Sequence, residues 1–233
     1  MKKNLTKNTN QILNVSNFDA LISTPFQEKT NAISLKRKLV GDFSEIVTKA
    51  NLKRNITELG KKELLDLQLT EQGQLARKIL LNDLKLLENH GASPTLNIIK
   101  YYDRDDSFPF FPTDVYSFHV DRSPIPTATY LCTYYGEASE ILPNSQADQK
   151  ILIPEIREEL KKLYNGPEND FEAFLSEYFF DLHYQQKPNA QLINLGIGNL
   201  WKLATDHPES EVLPCLHRAP KEKNGECRLL LIC

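Results

Sequence analysis

The sequence predicts an α+β protein whose core is a double-stranded β-helix (a jelly roll), with N-terminal and inserted helices packed outside it. Two observations carry that expectation. After Pro94 the chain breaks into short segments rich in β-branched and aromatic residues, punctuated by Pro, Gly and Asn. Before it, and again in one later interruption, apolar residues recur at helical spacing. Many short strands with a single helical insertion suit an antiparallel double sheet.

Residues 1–15, rich in Asn, Lys and Thr, read as a flexible polar tail. Residues 16–92 read as a mostly helical region. Leu65, Leu67, Leu69, Leu75, Ile79, Leu80 and Leu84 support helix over 60–89, with Thr70 as the N-cap of its second part. Gly91 follows His90 where a left-handed cap ends a helix. From 93 to 233 the reading is the jelly-roll core, with strands at 95–102, 114–120, 128–135, 191–195, 199–204, 211–217 and 227–232. The series is interrupted at about 153–187, where EIREELKKLYN and DFEAFLSEYFFDLHYQ flank Asn165-Gly166-Pro167 and have helical periodicity.

Composition narrows the class. A chain of 233 residues with 40% hydrophobic content builds a core without disulfide or metal staples. A net charge of −3, with the signs mixed along the chain, argues against a nucleic-acid partner. The N-terminus lacks the apolar run of a signal peptide, and no apolar stretch suggests a membrane span. The expected location is cytoplasmic, so Cys132, Cys215, Cys227 and Cys233, none in a C-x-x-C pair, are expected as reduced thiols.

Chemistry enters at His119-Val120-Asp121. Residues i and i+2 of a strand face the same way, so an imidazole and a carboxylate project together. With a third ligand from elsewhere they make the two-His, one-carboxylate triad of non-haem Fe(II) oxygenases. About a hundred residues on, His217 ends the strand-like VLPCLH, and Arg228 opens the strand-like RLLLI eleven residues later (228 − 217). Asn224-Gly225 in the polar loop between them marks a turn. Arg suits a site where a carboxylate is gripped by two parallel hydrogen bonds. Of the other histidines, His90 reads as helix-terminal, His183 as core and His207 as a loop residue, and Trp201 reads as barrel-wall core.

The order H-x-D, a long gap, a distal His and an Arg about ten residues on resembles the 2-oxoglutarate-dependent non-haem iron dioxygenase superfamily. Within it, FHVDRSPIPTATYLCTYYG and LHRAPKEKNGECRLLLIC are similar to an uncharacterised bacterial family with F-H-x-D…C-T-Y-x-G and a later H-R-x-P…R-L-L. The resemblance covers about residues 95–233. It implies Fe(II) held by His119, Asp121 and His217, with 2-oxoglutarate as co-substrate and its distal carboxylate on Arg228. A hydroxyl from the strand after H-x-D often joins that carboxylate. The C-T-Y-x-G match selects Tyr134, the residue adopted here, whereas counting from Asp121 selects Tyr135; strand alternation lets only one of them face inward. The stretch between Asp121 and the tyrosine pair, which contains Ser123-Pro124-Ile125-Pro126, is longer than the family pattern, a departure expected to reshape the substrate entrance. The implied reactants are 2-oxoglutarate, O₂ and a substrate the sequence does not name. Two other readings stay open: a metal-binding barrel enzyme that does not use 2-oxoglutarate, and a metal-free barrel that serves as a binding module.

Overall fold

Side-chain alternation along one strand organises the molecule. On the strand Ala128–Tyr135, Tyr130, Cys132 and Tyr134 face one apolar core, while Leu131 faces another on the opposite side. A strand buried on both faces must be sandwiched between two layers, and that is its position here.

The computed structural model describes residues 11–221, 223 and 225–233. In chain order the elements are β1 (Ile12–Val15), α1 (Phe18–Ser23), β2 (Ala32–Leu35), α2 (Phe43–Lys49), β3 (Ile56–Glu58), α3 (Lys61–Asp66) and α4 (Glu71–Asn89). There follow β4 (Thr95–Ile99), β5 (Phe118–His119), β6 (Ala128–Tyr135), β7 (Glu140–Ile141), β8 (Ala147–Gln149), α5 (Pro154–Leu163) and α6 (Phe171–Glu177). The last are β9 (His183–Gln186), β10 (Ile193–Asn194), β11 (Leu200–Ala204), β12 (His217–Arg218) and β13 (Arg228–Ile232).

The strands form two sheets. The larger runs β1-β2-β11-β6-β13-β4-β3 and the smaller β10-β7-β12-β5-β9-β8. Among the named strands β1 and β2 pair in parallel and the other ladders are antiparallel. Between the sheets Leu131, Trp201, Leu203 and Leu230 of the larger meet Ile141, Leu195 and Cys215 on the side of the smaller. On the outer face of the larger sheet, Tyr130, Cys132, Leu229 and Leu231 pack against Phe43 and Ile46 of α2 and Leu80, Leu84 and Leu87 of α4. A third cluster, Phe111, Leu160, Phe171, Leu175 and Phe180, holds α5 and α6 together. No helix among the described residues is long and apolar enough to cross a membrane.

The helical elements begin where their chemistry directs. The Thr70 hydroxyl accepts from Gly73 N as the cap of α4, and Gly91 takes a positive φ of 91° just past its end. The N-terminal region differs from its sequence reading in being partly extended. Residues 1–10 of the expected tail, with Glu222 and Asn224 of the expected turn, lie outside the described residues. Residues 12–15 form β1 rather than a loose tail, and β2 and β3 break the mostly helical stretch. These strands are three or four residues long, too short for period-2 alternation to register; β2 and β3 gain ladders from β11 and β4, far away in sequence, and β1 pairs with β2 at the sheet edge. The insertion, too, ends in a strand. Phe179, at φ 58°, turns the chain out of the helical path, and β9 follows.

Candidate metal centre

β12 lies between β5 and β7, and its register makes His217 the direct cross-strand partner of His119. Direct partners project from the same face, so the imidazoles stand side by side with ring centroids 4.6 Å apart. Each ring is oriented by the backbone two residues before it. His119 Nδ1 lies 2.8 Å from the Ser117 carbonyl oxygen, and His217 Nδ1 lies 3.2 Å from that of Cys215. A carbonyl only accepts, so each Nδ1 carries the proton and each Nε2 presents a lone pair.

Both Nε2 atoms face Asp121. Its Oδ1 is 4.0 Å from Nε2 of His119, and its Oδ2 is 3.6 Å from Nε2 of His217. One donor atom from each of the three residues lies within 4.8 Å of the others. The sequence thus named three residues that the fold brings together. Two imidazole nitrogens and one carboxylate oxygen on one side of an ion suit a first-row divalent metal with positions left open.

Electrostatics prepare the set for that role. Burial, reinforced by neighbouring His217, pushes the His119 pKa down from 6.5 to about 4, so its ring is neutral at physiological pH. Burial also disfavours the Asp121 carboxylate, but His217, the Thr129 hydroxyl and His119 outweigh it and hold its pKa below the ordinary value. Neutral imidazole and ionised carboxylate are the metal-binding forms.

The triad lines one part of a cavity of about 250 Å³ between the sheets; Leu131, Leu230 and Ile99 give it apolar walls, and Arg228 lines it too. The Arg228 residue is 6% exposed, and burial draws its pKa below the usual guanidinium value. Its Nη2 donates to Thr133 Oγ1 at 3.0 Å and to Ser139 Oγ at 2.6 Å, and the Tyr102 hydroxyl also bonds the guanidinium. Its Nε donor has no acceptor, and no carboxylate among the described residues pairs with it. A buried cation in that condition calls for an anion from outside the chain.

Tyr134 is a correction. Its hydroxyl donates to Asp83 Oδ2 at 2.6 Å, and its ring stacks on Phe43 in the core between the larger sheet and the helices. Tyr135 does not line the cavity either. The ladder of β6 with β13 slips by one residue, Leu230 pairing with Thr133 and Leu229 with Tyr135. A bulge breaks the alternation that would have turned Tyr135 inward. The hydroxyls that reach Arg228 come instead from Thr133, Ser139 and Tyr102. Thr129 and Thr133 each lie two residues from Leu131, which lines the cavity from β6, and that parity was their signal.

The chain has no match among protein-family models, curated proteins or solved structures. The motif resemblance therefore stands on the residues themselves. Of the remaining histidines, His183 faces His119 across β5 and β9 but is 4% exposed against Phe111 and offers no ligand atom to the triad. His90 Nε2 lies 3.2 Å from the Tyr130 hydroxyl, and His207 lines a groove on that outer side, with no part in the centre.

Proposed function

We propose that this protein is a non-haem Fe(II)/2-oxoglutarate-dependent oxygenase that hydroxylates its substrate. One observation carries the reading: a two-His, one-carboxylate set and a buried guanidinium without a counter-ion line the same 250 Å³ cavity. The strand order supports it. Successive strands β4, β5, β6, β7, β10, β11, β12 and β13 fall as β4-β13-β6-β11 in one sheet and β10-β7-β12-β5 in the other. That is the eight-strand order of a jelly roll, which we infer as the fold, with β1 to β3 and β8 to β9 extending its edges.

In this reading His119, Asp121 and His217 hold Fe(II), and Arg228 receives the far carboxylate of 2-oxoglutarate. Bound there, Fe(II) supplies the redox chemistry by which 2-oxoglutarate and O₂ give succinate and CO₂ while one oxygen atom enters a substrate C–H bond. The chain's own part is positioning and exclusion. Thr133 and Ser139 fix the guanidinium plane, which sets the direction of the co-substrate. The apolar walls keep water from the space between, where a low dielectric strengthens the ion pair. Asp121 fills the position that a halogenase leaves vacant for halide, which favours hydroxylation. Four unpaired thiols accord with a reducing compartment, and we place the protein in the cytoplasm.

The test is an anaerobic titration with Fe(II) and 2-oxoglutarate, watching the weak visible charge-transfer band of the chelate. The wild type is expected to show the band and His217→Ala to lose it. Iron bound without a band would favour a metal enzyme that does not use 2-oxoglutarate. No iron bound at all would leave a metal-free binding module.

A further inference from the structure

We propose that Thr129 is the positioning residue of the metal centre, fixing Asp121 so that it meets the ion through one oxygen; this rests on the metal reading above. Asp121 lies just beyond the end of β5, whose ladder stops at His119, and its side chain is the most exposed of the three ligands. Its backbone is secured, since Asp206 N donates to Asp121 O and Ser123 N donates to Asp206 O. Its carboxylate has a single hydrogen-bond donor among the described residues, the Thr129 hydroxyl, which bonds Oδ2. The histidines differ in that each ring is already oriented by the backbone carbonyl two residues before it.

Thr129 suits the role because its own position is rigid. It is 8% exposed, sits on the larger sheet and is the direct partner of Leu203 on β11. Its hydroxyl therefore reaches from the larger sheet to the chain just past β5 that carries Asp121. A carboxylate only accepts, so the hydroxyl proton points at Oδ2 and occupies one of its lone pairs. A free carboxylate on two rotatable bonds would lose that freedom only when metal arrives; held in advance, it does not. Holding Oδ2 also discourages two-oxygen chelation, which would take a coordination position that the co-substrate and O₂ need.

The experiment is a calorimetric titration of the full chain with Co(II), an air-stable probe, alongside thermal unfolding of the metal-free protein. Thr129→Val keeps the shape and removes the hydroxyl; it should weaken Co(II) binding by about 10-fold or more, the range for lost outer-sphere ligand contacts, with little change in Tm. Thr129→Ser keeps the hydroxyl and removes a buried methyl; it should lower Tm and leave Co(II) affinity near wild type. Wild-type affinity in Thr129→Val would overturn the assignment. So would affinity that merely follows Tm through both variants, the mark of a structural role. Failure of the wild type to bind Co(II) would instead sink the metal centre itself, and Thr129's role with it.

Discussion

His119 and His183 are direct partners across β5 and β9, and burial disfavours a proton on both. The His119 pKa falls to about 4 and that of His183 to about 3, burial being the larger cause in each case, with His217 acting next on His119 and His119 next on His183. Below the ordinary value of 6.5 the unfolded chain takes up protons that the native state refuses. Native stability therefore falls as pH drops from about 6.5 to about 4, by roughly 1.4 kcal/mol per unit for each such group and about 3 kcal/mol for His119 alone. Urea unfolding of metal-free protein at several pH values should show this slope, and His183→Phe should flatten part of it; a flat wild-type profile would contradict the buried-neutral state. The legibility of single residues followed their chemistry. His119, Asp121, His217 and Arg228 were readable because each carries a donor or charge whose spacing along the chain is itself informative. The hydroxyls of Thr129, Thr133 and Ser139 were not, because a hydroxyl acquires a role only when the parity of its strand and the partner across the cavity are known.

The β6 bulge is where an element overrode a residue-level rule. Simple alternation required one of Tyr134 and Tyr135 to face inward, but the slip between Leu229 and Leu230 leaves neither lining the cavity. Gly136 finishes the strand at φ 81°, and a Cβ there would lie 2.6 Å from the Cys227 carbonyl oxygen and 3.0 Å from Arg228 Cα. The start of β13, and with it Arg228, is set by that close approach. Gly136→Ala is therefore expected to destabilise the protein by more than about 1 kcal/mol, from the strained φ and the backbone clash together. Under the proposed function it should also weaken 2-oxoglutarate binding more than metal binding, because the displacement falls on Arg228 and not on the triad; parallel titrations of the variant with each ligand would show the difference. Helix α4 was legible for the opposite reason: its cap, period and terminating glycine are local signals. Strands β1 to β3 were not, since their pairing energy comes from partners distant in sequence.

At the scale of the molecule, the larger sheet is covered on one side by helices and on the other by the smaller sheet, and an ionic network anchors the helical cover. Arg37, in the segment after β2, donates through Nη1 and Nη2 to the two oxygens of Asp83 on α4 at 2.8 and 2.7 Å, and Tyr134 of β6 donates to the same carboxylate. Three parts of the chain thus converge on one side chain that is 1% exposed. A layered fold was legible from the periodicities, but the order of strands and this convergence depend on contacts that no local pattern encodes. Breaking the network should separate stability from chemistry. Asp83→Asn leaves the Arg37 guanidinium without its counter-ion; because Arg37 is 19% exposed, the loss should fall below the 3–5 kcal/mol of a fully buried pair, at about 2 kcal/mol. The network belongs to the outer face of the larger sheet and the triad to its inner side, so the folded variant should still bind Co(II) with wild-type affinity. Urea unfolding paired with Co(II) titration would read both quantities. A stability loss accompanied by weakened metal binding would mean that the helical layer holds the sheet in the curvature the centre requires. Metal affinity that survives the loss would show that the two sheets set the site geometry by themselves.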